Sequence, residues 1–519
     1  MLTKLNTGLK RVLLLLLVVG LTILGVRAYE LRSFPALELW HTYVPQELSV
    51  AELEQSDWNG FLQSETQIFQ DVRREVTDKL PAAAQTPFNR YYAKAGIYPA
   101  SFSSDWNRSY VLEPTGKPQG AVVLLHGLTD SPYSLRHIAR RYVENGFVVV
   151  AIRLPGHGTV PAGLTNVRWE DWVAATRLAV REAKRRVPTG PLHLVGFSNG
   201  GALAVKYAAD ALENPQLARP DRLVLLSPMI GVTRFARFAG IAGLPAVLPS
   251  FAKAAWLSVV PEFNPFKYNS FPVNGARQSY RLTDALQEQI ARLAQNNGLQ
   301  KIAPIMTFQS VLDFTVSTPA ILSGLYAHLP ENGSELMLFD VNRSLNFNPL
   351  LRPSSETALA RMLPTTPQRY QISVIGNDPA VKGSLNTVAR TFAAGTTTAT
   401  QRALDTPYPA EIFSLSHVAV PFPMDDALYG LNPVKDEYFG IHIGTLAPRG
   451  ERGALIVSMD FISRISANPF YPLMMERIEA GIKQPTGVLK SSKIAAPSTT
   501  PALIEGDFHE ENTESHVNP

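Results

Sequence analysis

Short apolar runs separated by helix-like segments organise the middle of this chain. Val122–Leu125, Val148–Ile152 and Leu223–Leu226 are continuous apolar stretches and Leu192–Val195 is interrupted by His193 alone, as expected of strands buried on both faces of a parallel sheet. Between them, Leu135–Asn145 and Trp169–Arg186 read as amphipathic helices, the first closed by Gly146. Strand alternating with helix implies right-handed crossovers and an α/β, doubly wound, mostly parallel sheet. The alternation breaks after Ser227-Pro228. Residues 229–298 read as helical and apolar, an insertion placed to form a cap, with a further core layer as the alternative. Ile302–Val311 and Leu336–Val341 restore the strand pattern, and 342–409 is loop-rich, a second insertion or part of the cap.

The ends read differently. Lys4, Lys10 and Arg11 precede an uncharged apolar run, Val12–Val26. Such a run predicts a signal-anchor or a cleavable signal over residues 1–29, with the bulk of the chain outside the cytoplasm, anchored or secreted. As a helix it spans about 22 Å, short of the ~30 Å hydrocarbon core. Residues 30–104 form a helical pre-domain, with helix over about Val50–Lys79 and docking aromatics at Trp40, Trp58, Phe69, Tyr91 and Tyr92. The main domain covers 105–483. After Gln484 the composition turns to Pro, Ser, Thr and acidic residues, predicting a disordered tail over 484–519.

Composition narrows the chemistry only a little. The 519 residues are 45% hydrophobic and 18% charged, with a net charge of +4 and no clustered basic block, which argues against a nucleic-acid partner. The absence of cysteine excludes disulfides, thiolate metal sites and a cysteine nucleophile. No His-Glu-x-x-His or dinucleotide-type glycine loop is present, so no cofactor and no metal are expected. The sequence does not bear on oligomeric state.

The strongest chemical signal is Gly196-Phe197-Ser198-Asn199-Gly200. An apolar strand stops there and a helix-like run, Ala202–Ala209, follows. A strand–turn–helix with serine at its apex holds the hydroxyl clear of the sheet, in a strained conformation that needs small neighbours. Serine needs a base and a group to orient that base. Of the histidines after Ser198, His509 and His516 lie in the tail and His328 precedes Pro330 as a capping or surface residue. His417, at a strand-to-loop exit, is the leading candidate, with His442 as its rival.

His126-Gly127-Leu128 after the first buried strand, Arg153-Leu154-Pro155-Gly156-His157-Gly158 after the second, and the serine turn together resemble the α/β-hydrolase superfamily, in particular its monoacylglycerol lipase and lysophospholipase-like branch. The resemblance covers roughly 110–345 and the surroundings of His417. It implies the order serine, acid, histidine: Ser198, then Asp313 with Asp340 as runner-up, then His417. Asp425 and Asp426 read as solvated carboxylates. It also implies an oxyanion hole from the backbone N–H groups of Leu128 and Asn199, with His126 a structural residue. The family's usual glycine before the acid is replaced by Gln309 or Ser310, and about 75 residues separate the last expected strand from His417. The implied activity is a membrane-associated serine ester hydrolase acting on fatty acyl lipids. Thioester or amide cleavage on the same residues, and a non-catalytic binding protein, are the alternatives. Apolar cap residues (Met229, Ile230, Phe235, Phe238, Leu244, Leu248, Phe251, Trp256, Leu257) favour an acyl-chain pocket over a small soluble ester.

Overall fold

The computed structural model of the protein describes residues 2–231, 249–344, 346–363, 365–444, 449–457, 464 and 467–484. Its centre is a ten-stranded sheet. In chain order the strands of the described residues are β1 (Tyr110–Leu112), β2 (Gly120–Leu125), β3 (Phe147–Ile152), β4 (Leu192–Phe197), β5 (Arg222–Leu226), β6 (Trp256–Ser258), β7 (Phe271–Pro272), β8 (Ile305–Ser310), β9 (Glu335–Phe339), β10 (Gln371–Asn377), β11 (Thr387–Phe392) and β12 (Ala399–Leu404). The sheet order is β1-β3-β2-β4-β5-β8-β9-β10-β11-β12, and β6 pairs with β7 as a separate ribbon. From β3 to β10 every pairing is parallel, whereas β1, β11 and β12 join antiparallel at the two edges. β2, β3, β4, β5, β8 and β9 are buried at every position, which is why β2 and β3 read as apolar runs, whereas β4 carries His193 and β8 carries Thr307, Gln309 and Ser310 inside the buried layer.

Helices cover both faces. Trp169–Arg186, Asn199–Glu213 and Val273–Gln295 bury Trp172, Leu178, Leu203, Leu282, Leu286 and Ile290 on one side. Arg136–Glu144 and the C-terminal helix Tyr471–Lys483 bury Ile138, Tyr142, Met474 and Ile478 on the other. This is the expected doubly wound arrangement, with strand C-terminal ends converging where β4 meets its helix.

The pre-domain is helical as expected, over Val50–Gln55 and Trp58–Val72, and continues as a wider turn through Arg73–Thr77. It is sewn to the body rather than set apart from it. Trp58 and Phe61 enter the main core, Trp40 and Tyr91 cluster with Val160 and Ala162 of the body, and the Arg153 guanidinium is clamped by Glu47 (2.7 Å) and Glu65 (3.1 Å). Phe69 lies under the Arg108 guanidinium at 3.9 Å.

Three sequence expectations are revised. The segment 229–298 is helical in its described part only over Val273–Gln295, apart from a short 3₁₀ stretch at Pro249–Ala255. Pro261, Pro265 and Pro272 interrupt helix formation in between, and the Glu262 carboxylate ties the loop by accepting from Asn269 N (2.9 Å) and Ser270 N (2.7 Å). The helix packs Leu282, Leu286 and Ile290 into the main core, and the loop before it lines the cavity with Lys267, Tyr268, Asn269 and Phe271. Second, 342–409 carries β10 to β12 and lengthens the sheet. β11 and β12 are mixed in burial and polarity, without the apolar runs that betray a central strand. Third, Leu2–Ser33 forms one continuous helix with exposed apolar side chains at Val12, Leu13, Leu14, Leu15, Leu17, Val18 and Val19. Among the described residues no helix is long and apolar enough to cross a membrane, in contrast to the anchor read from Val12–Val26, a run shorter than the hydrocarbon core. The tail beyond Gln484 lies outside the described residues.

Candidate functional site

The serine turn is built from backbone upward. Ser198 sits at φ 55°, ψ −115°, a conformation that L residues avoid, between the end of β4 and the start of helix Asn199–Glu213. Two hydrogen bonds hold it there, from Ser198 N to Leu226 O and from Met229 N to Ser198 O, each 2.9 Å. The helix must cross close over the sheet for this to work. A Cβ on Gly200 would lie 1.9 Å from Leu125 O, and one on Gly196 would lie 2.3 Å from Gly200 O. Both positions therefore require glycine by contact, not by dihedral freedom.

The other two residues arrive from distant loops. Ser198 Oγ lies 3.0 Å from His417 Nε2, and His417 Nδ1 lies 2.7 Å from Asp313 Oδ2. Asp313 Oδ1 accepts from the N–H groups of Thr315 (2.8 Å) and Val316 (2.9 Å). Burial by itself would raise the Asp313 carboxyl. The adjacent His417 and these amide donors outweigh it and hold the group below the ordinary carboxylate value. Gln309 donates its Nε2 to Asp313 Oδ2 at 3.2 Å and so adds a support to the acid.

The rival positions fall elsewhere. Asp340 pairs with Arg343 at 2.8 Å, and His442 is exposed with Nδ1 2.8 Å from Ala427 O. Asp425 is exposed as expected, but Asp426 is not the solvated carboxylate that its neighbours suggested. Its side chain is fully buried, 2.7 Å from Arg136 and 2.9 Å from His137, and it also receives the Tyr133 hydroxyl. Two basic partners reverse the effect of burial and depress its pKa strongly. This cluster pins the loop after His417 to helix Arg136–Glu144. His126 accepts from Leu154 N at 3.0 Å through Nε2, and its Nδ1–H donates to Gly127 O at 2.9 Å. Burial drives its pKa well down, so the ring is neutral and shapes the loop.

Leu128 and Ser198 line one cavity of about 500 Å³. Asn199 is fully buried at the N-terminus of the helix beside it, and its side-chain Oδ1 accepts from Ser279 Oγ at 3.0 Å. Apolar walls come from Phe197, Met229, Phe271, Phe314 and Val418. Met229 is therefore the one member of the expected acyl-pocket set found in this wall. Ile230 and Trp256 are buried in packing, the latter edge-on to His41 at 4.9 Å, and Leu257 is half-buried outside the wall. Phe235, Phe238, Leu244 and Leu248, and the side chain of Phe251, lie outside the described residues.

Sequence reasoning missed a second carboxylate. Glu451 Oε2 accepts the backbone N–H of His417 at 2.9 Å, and Oε1 meets Arg464 Nε at 2.6 Å. Burial raises its pKa, Arg464 opposes that, and the nearby Asp313 adds to it. Nothing in its local sequence marks Glu451, because its partners lie 34 positions upstream and 13 downstream. Lys267, Arg452 and Arg464 on the cavity wall were missed for the same reason. Among the described residues no group of three or more metal-ligating side chains occurs.

Residues 116–340 match the family described as Hydrolase_4, serine aminopeptidase, S33, a span that includes Ser198 and Asp313 and stops short of His417. The thermostable monoacylglycerol lipase of Bacillus sp. (strain H-257) is 36% identical over 87 residues, 17% of this chain and 34% of that protein. The monoacylglycerol lipase of Mycolicibacterium smegmatis is 32% identical over 100 residues, 19% of this chain and 36% of that one. The chain thus spans about a third of the length of the curated relatives it matches. Among solved structures, the Paleococcus ferrophilus monoacylglycerol lipase aligns with 49% of this chain and 97% of its own, at 17% identity and a TM-score of 0.33. In its sheet, the order of its site residues and its matched segment, the chain is an α/β-hydrolase-fold protein resembling the monoacylglycerol lipase-like branch.

Proposed function

We propose that the protein is a serine hydrolase that cleaves carboxylic esters of fatty acyl lipids, of monoacylglycerol or lysophospholipid type, through an acyl-enzyme. The observation that carries this reading is the unbroken line Asp313–His417–Ser198 opening into an apolar-walled cavity. His417 takes the Ser198 proton as Oγ attacks the ester carbonyl, and Asp313 stabilises the resulting imidazolium. The amides of Leu128 and Asn199 receive the oxyanion, the second of them at a helix N-terminus where negative charge is favoured. The alcohol leaves with the proton from His417. Water, activated by the same histidine, then releases the acid and restores Ser198.

The family description raises aminopeptidase action as a second reading. An aminopeptidase must hold a free α-ammonium, for which a carboxylate is the natural partner. The charged residues on the described cavity wall, apart from His417, are Lys267, Arg452 and Arg464. Ester cleavage is therefore the better supported. The discriminating experiment compares acyl esters from acetyl to palmitoyl with thioesters and aminoacyl amides. Turnover should rise toward medium or long acyl chains and vanish in Ser198→Ala. A peak at acetyl, or faster amide cleavage, overturns the lipid-ester reading.

Membrane association through the N-terminal helix belongs to the same proposal. Leu13, Leu14, Leu15 and Leu17 are each more than half exposed, apolar surface that water disfavours and a bilayer accepts. Placement of the catalytic body on the non-cytoplasmic side is part of the same proposal, supported by the basic residues Lys4, Lys10 and Arg11 ahead of the apolar run. The full chain should pellet with membranes and stay accessible to external protease. Recovery in the soluble fraction overturns this part alone.

A further inference from the structure

The catalytic cavity has a cationic side that a neutral glycerol ester does not use. Lys267, Arg452 and Arg464 share its wall with Ser198, and no Asp or Glu is among the described residues that line it. The three cations differ in how far they are already matched. Arg464 is paired with Glu451 at 2.6 Å and donates to Thr315 Oγ1 at 2.6 Å, so its charge is largely committed to supporting the loop of the base. Arg452 is exposed at the mouth, its guanidinium 5.1 Å over the ring of Phe314, which is itself 57% exposed, and among the described residues it has no carboxylate within ion-pair distance. Lys267 is half-buried, and among the described residues its ammonium makes no hydrogen bond or ion pair. The carboxylate that acts on it electrostatically, Asp130, is buried and occupied, accepting from Ser134 Oγ (2.6 Å) and Gly127 N (3.3 Å). Burial pulls the Lys267 pKa down, which is the mark of a cation held in a poorly solvated place without a full partner.

A protein rarely keeps an ammonium without a direct hydrogen-bonded counter-ion on the wall of its reacting cavity unless a ligand supplies that contact. We propose that Lys267 and Arg452 form an anion subsite, and that the preferred substrate is an acyl ester whose alcohol part carries an oxyanion group, phosphate or carboxylate. The acyl chain would lie against Met229, Phe271 and Val418 and the anion would face Lys267, with Arg452 guarding the entrance. The inference rests on the ester-hydrolase reading above and goes beyond it in naming the charge of the leaving alcohol.

The test uses three octanoyl esters below their micelle-forming concentrations: 1-octanoylglycerol, 1-octanoylglycerol 3-phosphate and 3-octanoylglycerate. At low salt, kcat/KM for at least one anionic ester should exceed that for the neutral ester by about tenfold or more, and the gap should narrow as salt rises. Which anion leads decides between phosphate and carboxylate. Lys267→Gln and Arg452→Gln should each lower kcat/KM on the anionic ester by about tenfold while leaving the neutral ester within about threefold. The neutral ester doubles as the control for folding. Equal or better turnover of the neutral ester, or an equal loss on both in Lys267→Gln, overturns the anion subsite and leaves ester hydrolysis standing. If no ester is turned over and a fluorophosphonate fails to label Ser198, the hydrolase reading falls instead. Calorimetric binding of the same three compounds to Ser198→Ala then still decides the subsite: tighter binding of an anionic ester supports it, and parity overturns it.

Discussion

The two halves of the candidate site are made in opposite ways. The nucleophile side is local: β4, Ser198 and helix Asn199–Glu213 are contiguous, and the turn is held by glycines and backbone bonds within a few residues and the two flanking strands. The base side is assembled from afar. His417 is oriented by Asp313 from 104 positions upstream and by Glu451 from 34 downstream, and Asp426 ties its loop to Arg136 across 290 positions. A site half rigid by local geometry and half by long-range polar contacts should fail differently on its two sides. On the first side a change is all-or-none. On the second it should be graded, because several contacts share the task.

The sharpest contrast comes from the serine turn. Ser198→Ala should lower turnover by about four orders of magnitude or more and abolish fluorophosphonate labelling, with the fold intact by circular dichroism. Gly200→Ala should fail structurally instead, since a Cβ 1.9 Å from Leu125 O cannot be absorbed by backbone. Loss of soluble, cooperatively melting protein is the expected readout. A well-folded, active Gly200→Ala variant would break the view that the turn is set by contact.

Graded effects are expected on the other side. Asp426→Asn leaves the buried Arg136 with only Glu437, itself 24% exposed, and should cost about 3 kcal/mol in a urea or thermal melt. Both Asp313 and Asp426 have pKa values below those of an unfolded carboxylate, so each favours the folded state above that ordinary value and loses its contribution as pH falls through the lower folded value. Stability should therefore drop steeply below about pH 4, and Asp426→Asn should flatten that drop. Glu451→Gln keeps the shape but weakens the hold on His417 N and Arg464, and should lower kcat by about tenfold with KM nearly unchanged. The smallest effects belong to the displaced rivals: His442→Ala and Asp340→Ala should leave kcat/KM within about twofold. A larger loss in either would mean that the base side reaches further than the contacts described.

How much of this was legible follows the same division. The strands β2 to β5 and β8 to β9 could be read because burial on both faces makes them predominantly apolar, even where His193, Thr307 or Gln309 interrupts the run. The cover over the cavity could not, since its prolines and the Glu262 clamp make a loop where apolar composition suggested helix. β12 escaped because an edge needs no apolar alternation on its open side, and β11, paired on both sides, escaped because only half of its length is buried.

The sequence by itself determined the serine turn and the parallel core, because each is written in neighbouring residues whose period or size is a local requirement; the order of acid and base after the nucleophile was implied by the family resemblance alone. Only the tertiary structure decided that Asp313 and not Asp340 meets His417, that Asp426 is buried, that Glu451 backs the base, and that Lys267 and Arg452 face the cavity. Charged side chains have no periodic signature along the chain. Their roles depend on which opposite charge or which solvent they meet, and folding alone brings those partners within reach.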